Sequence, residues 1–124
     1  MRYEYAPDIK QKLVEIVNHL LMNHVDLNRV ECLRSFGSST KRTIARCHTI
    51  GKVMQKGMRA PAFYTIEFLE LFDKLPQHEQ EKVIIHELLH IPKTFGGGFR
   101  QHDYVCEENV EKLHRNFVLK NRFF

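Results

Sequence analysis

HELLHIPKTFGGGFRQHD, residues 86–103, is the stretch on which the reading of the chain turns. His86 and His90 are four residues apart, and at 3.6 residues per turn such a pair lies roughly 40° apart around a helix axis. Two imidazoles on successive turns can therefore face one metal ion. Glu87 occupies a neighbouring part of the same surface, close enough to hold a water molecule beside that ion without ligating it. A solvated helix could carry these letters by chance, but three details argue against that. The motif lies inside an apolar run, Val83-Ile84-Ile85 before it and Leu88-Leu89-Ile91 after it. Polar side chains in so apolar a helix are costly unless they have partners or a cavity. Pro92 then ends the helix, because the residue before a proline is driven out of the α region. Gly96-Gly97-Gly98 can turn sharply and approach a site closely, and the loop delivers His102 followed by Asp103.

These features are those of the H-E-x-x-H pattern of zinc metallopeptidases. A catalytic zinc takes three protein ligands and keeps one position open for water. His86 and His90 supply two, and His102 is the favoured third, since zinc prefers imidazole and the glycine loop gives the reversal needed. A glutamate of the last helix, Glu107, Glu108 or Glu111, is the main rival, ahead of Cys106 and His114. Asp103 has two readings, as an acceptor that orients a ligand histidine or as the cap of the last helix. Glu87 is the expected general base. Arg100, Tyr104 and Tyr64 are the candidate donors to a transition-state oxyanion, although a core phenol and a surface charge are the commoner fates of Tyr64 and Arg100.

Outside the motif, the composition sets bounds. A chain of 124 residues fits one domain, residues 1–124, with a genuine core. No apolar run approaches a membrane span, and MRYEYAPDIK at the start has no apolar signal core. Cys32, Cys47 and Cys106 are odd in number and lack C-x-x-C spacing, which fits buried thiols in a reducing compartment, with cytoplasm as the expected location. The net charge of +4 is spread along the chain without interleaved aromatics, so nucleic acid is permitted as a partner but not indicated.

Taken in order, Ile9, Leu13, Ile16, Val17, Leu20 and Leu21 recur at helical spacing and predict a helix over 8–24. Alternation predicts a strand from Val30 to Phe36 and another from Thr43 to Ile50, read together as an antiparallel hairpin. Cys47 and His48 are strand neighbours and should face opposite sides of a sheet, so they do not share an ion. Residues 51–61 read as a connection with one helical turn around Val53 and Met54. Residues 62–68, AFYTIEF, are the most strand-like stretch, either a core strand or an edge able to bind an extended peptide. Pro76 opens the motif helix at its first turn, with His78 near its start and not counted as a ligand. A last helix covers about 104–120. The class is α+β, a small antiparallel or mixed sheet packed on the motif helix.

The combination of RSFGSSTKRTIARCHTIGKVMQ (34–55), FYTIEFLELFDKL (63–75) and KVIIHELLHIPKTFGGGFRQHD (82–103) resembles the putative metallopeptidase family of archaea and phages, part of the zincin-like group. The likeness covers roughly residues 27–104. It implies a minimal zincin, with His86, His90 and His102 as zinc ligands, Glu87 as catalytic base, and a peptide or protein as substrate. The chain is not similar to metzincins, whose H-E-x-x-H-x-x-G-x-x-H pattern brings the third histidine sooner. Here the gap from His90 to His102 is twelve residues, which looks more like the SprT and WLM type. That likeness, with the basic charge, implies one alternative, a peptidase acting on nucleic-acid-bound proteins; a separate, non-enzymatic alternative is a metal-stabilised binding module in which Glu87 is vestigial.

Overall fold

The computed structural model describes residues 1–101 and 104–123. Its centre is β4 (Tyr64–Phe68), whose Tyr64, Ile66 and Phe68 all point into the core. β2 (Val30–Phe36) pairs with it in parallel and β3 (Ala45–Thr49) antiparallel, so that Cys32 and Cys47 both stand opposite Ile66. A further strand, β1 (Arg2–Tyr5), adds antiparallel to β2 and completes a four-stranded mixed sheet in the order β1-β2-β4-β3. The fold is α+β, as the sequence predicts.

The hairpin expected from the second and third strands does not form. Alternating side chains mark β2 and β3 as strands but carry no information about partners, and the more apolar β4 is inserted between them. With both of its sides paired, β4 cannot take up a peptide strand; the open edge next to the motif belongs to β3.

The first helix and the motif helix lie against the sheet, and the last helix packs on both of them. α1 (Pro7–His19) opens on Pro7 and buries Ile9, Leu13, Ile16 and Val17. It stops five residues before the expected end at 24 because Leu21 adopts φ 53°. The Met22 amide then donates to the Val17 carbonyl at 3.0 Å, and the Leu21 amide to Asn18 at 3.4 Å, a Schellman closure. The 51–61 segment is more regular than expected, with a seven-residue helix α2 (Lys52–Met58) whose Val53 and Met54 face solvent. α3 (Glu70–Asp73) is a single turn leading to α4 (Gln77–Leu89), with Pro76 as its N-cap rather than in its first turn. α5 (Glu107–Phe123) closes the chain and buries Val110 and Phe117 in the same core as Ile84, Ile85 and Leu88 of α4.

Candidate functional site

The motif lies on the last turn of α4. Ile84, Ile85, Leu88 and Leu89 fix the helix in the core, and this leaves His86, Glu87 and His90 along the side that meets β3. His90 is the C-cap and keeps right-handed helical dihedrals (φ −70°, ψ −20°). The His86 and His90 rings stand edge to face with centroids 5.1 Å apart. Pro92 enforces the stop, and the Ile91 amide bonds back to Leu88 at 3.1 Å.

The ring of His90 is oriented by the returning chain. Its Nδ1 lies 3.0 Å from the Arg100 carbonyl oxygen, and the Arg100 amide donates to the His90 carbonyl at 2.8 Å. A carbonyl can only accept, so Nδ1 carries the proton and the lone pair sits on Nε2. This is the tautomer of a metal-ligating histidine held by a backbone acceptor.

Glu87 is buried, and among the described residues burial alone pushes its carboxyl up to about 7. A buried carboxylate lacking a compensating charge fits a cation beside it, which would oppose the effect of burial. The donors present therefore suit a divalent metal. Two adjoining clefts meet at His86 and Glu87. One, of about 470 Å³, is lined by Ala45, Arg46 and Cys47 of β3 together with His90, Phe99 and Arg100. The other, of about 480 Å³, runs between α4 and α5 over Ile44, Val83, Val105 and Val110.

The glycine loop is pinned from below. The Tyr64 hydroxyl donates to the Gly98 carbonyl at 2.7 Å and accepts from the Gly97 amide at 3.0 Å. Gly97 has φ +99°, and a Cβ there would stand 2.3 Å from Gln55 Nε2 and 2.6 Å from the Ile50 carbonyl oxygen, so both conformation and space demand glycine. Tyr64 is thus a buried loop anchor, and it leaves the set of oxyanion donors. Arg100 lines the cleft, with its guanidinium 3.3 Å from the centre of the Tyr104 ring.

His102 and Asp103 lie outside the described residues. Of the rival glutamates, Glu107 and Glu111 line the α4–α5 cleft with His86 and Glu87, whereas Glu108 is exposed and not on it. The Glu111 carboxylate is 2.9 Å from Lys82 Nζ. Among the described residues, neither joins His86 and His90 in a group whose ligand atoms all lie within 4.8 Å of one another. Cys47 and His48 do face opposite ways. Cys47 lines the motif cleft, its thiol pushed up to about 12 by burial, whereas His48 Nε2 sits 2.8 Å from Glu67 on the far face. His78, not counted as a ligand, and His114, a lesser rival for the third position, are instead brought together by the fold around Glu81. Only the spacing of His78 and Glu81 could have hinted at this.

The family model described as Putative phage metallopeptidase matches residues 1–120. No curated protein and no solved structure matches the chain.

Proposed function

We propose that this chain, which belongs to the putative phage metallopeptidase family, is a zinc-dependent peptidase with Glu87 as its general base. Membership of a metallopeptidase family implies a metal ion and a peptide or protein substrate. The zinc assignment rests on the donor set, two imidazoles on successive turns with His102 as third ligand. The observation that carries the reading is Glu87, a buried carboxyl without a compensating charge among the described residues, placed in the cleft with two histidines, one of them fixed in the ligating tautomer.

A bound zinc ion would polarise the scissile carbonyl and acidify a water molecule in the open position. The chain's own groups do the rest. Burial raises the Glu87 carboxyl and a cation beside it would draw it back down, so that it is ionised and can take a proton from the water and return it to the leaving amine. Arg46 and Arg100 both line the cleft with His86 and His90. Arg46 stands opposite Glu67 in the sheet, and Arg100, with Tyr104 under its guanidinium, is the donor we assign to the developing oxyanion. Asp103 orients a ligand ring in this scheme. An extended substrate lies along the open edge of β3, with main-chain hydrogen bonds to Ala45–Thr49, and one side chain enters the apolar cleft over Val83 and Val110. Among the described residues no helix is long and apolar enough to cross a membrane. The free thiols of Cys32, Cys47 and Cys106 fit a reducing compartment, and on that ground we place the activity in the cytoplasm.

The test is cleavage of a peptide library by zinc-loaded protein. Activity lost to a chelator and restored by zinc, and lost in Glu87→Gln with zinc still bound, supports the reading. Equal activity in Glu87→Gln overturns it.

A further inference from the structure

We propose a second metal site on this chain, formed by His78 and Glu81 of α4 and His114 of α5, which ties the motif helix to the last helix. It is separate from the site at His86 and His90. Glu81 lies five residues before His86, roughly 7–8 Å along the axis at 1.5 Å per residue.

The donors are already assembled. His114 Nε2 is 2.9 Å from Glu81 Oε1, and His78 Nδ1 is 3.9 Å from the same oxygen. One ligand atom from each of the three lies within 4.8 Å of the other two. Ligands about 2.0–2.2 Å from one zinc ion stand roughly 3–4 Å apart, so small side-chain rotations suffice to enclose an ion. His78 and Glu81 are three apart on one helix face, which makes them neighbours there. The rings of His78 and His114 meet edge to face, with centroids 5.7 Å apart.

Burial and charge divide the work. Glu81 and His114 are 3% and 6% exposed, and a carboxylate so deep requires compensation. Its outer oxygen, Oε2, has it from Gln77 Nε2 at 3.2 Å and from Lys12 Nζ of α1 at 3.6 Å. These partners orient the carboxylate and leave Oε1 directed at the two rings. His78 is on the surface, its side chain 74% exposed, so one side of the site opens to water. Two imidazoles and one carboxylate with open positions suit a divalent transition metal and poorly suit magnesium or calcium, which prefer oxygen donors. Without metal the Glu81–His114 hydrogen bond still joins the two helices, beside their shared apolar core. With metal, the same two groups and His78 become ligands of one ion.

Zinc alone is the probe, titrated against a chromogenic chelator. In the His86→Gln/His90→Gln double variant one zinc ion should still bind and raise the melting temperature, and adding His78→Ala should weaken that binding at least about tenfold. Because His78 is exposed, His78→Ala in the otherwise unchanged chain tests the same point without risk to the fold. It should lower the zinc stoichiometry by one while leaving the metal-free melting temperature unchanged. Zinc affinity unchanged by His78→Ala in the double variant, or equal zinc stoichiometry at limiting free zinc with and without His78 in the unchanged chain, overturns the proposal.

Discussion

Glu87 answers two opposed demands. As a side chain of the core helix it is buried, with no compensating charge among the described residues, which costs stability. As a proton acceptor it gains from that same burial, which in the metal-free protein pushes its carboxyl up to about 7. Glu87→Gln should therefore raise the stability of the metal-free protein by about 1–3 kcal/mol, read by denaturant melts at pH 8. The same substitution should lower turnover by about 10²–10⁴-fold with zinc retained. Tyr64 has the opposite character. Its hydroxyl bonds Gly97 and Gly98, so Tyr64→Phe should cost about 1–3 kcal/mol by leaving loop groups unpaired, again measured by denaturant melts. His86, Glu87 and His90 were legible in the sequence because their relation is local, fixed by helical spacing. The anchoring of the glycine loop by Tyr64 was not, since it joins residues more than thirty positions apart.

Between elements, pairing rather than pattern decides. The strand character of 30–36 and 62–68 was visible in their alternation, but not that β4 would take the centre and separate β2 from β3. β1 also escaped notice, because its four residues are all exposed and give no apolar signal. The central place of β4 has a consequence for Glu67, which stands between Leu33 and Arg46 on the face away from the helices. Burial pushes its carboxyl up, but the nearby Ser35 hydroxyl, the His48 ring at 2.8 Å and the charge of Arg46 together hold it below its ordinary value of 4.5. A carboxylate depressed in the folded state adds stability that is fully present above its unfolded value and fades as pH falls through the folded one. The melting temperature of the parent protein should thus exceed that of Glu67→Gln at about pH 6–7, and the gap should shrink below about pH 4.5. A gap independent of pH would contradict the role given to Glu67.

For the molecule as a whole, α4 carries both the motif and the contact with α5, so metal binding and folding are coupled through one helix. A ligand that binds only the folded state stabilises it by about 2.7 kcal/mol at one hundred times its dissociation constant. Thermal melts with excess zinc and with chelator should differ by several degrees, and the difference should shrink in His86→Ala. The whole-chain arrangement also explains why the cleft could not be read from the sequence. Its walls come from β3, α4 and α5, which are distant in sequence and are brought together only by the tertiary fold.

The central claim is that the two motif histidines grip one cation with Glu87 beside it. A crystal structure of the zinc-loaded His78→Ala protein, with zinc located by anomalous scattering, tests this most directly. The account predicts a single strong peak about 2.0–2.1 Å from a nitrogen of both His86 and His90, with the Glu87 carboxylate outside the ligand set. A peak bound without either of those rings, or with Glu87 as a direct ligand in place of one, would contradict it.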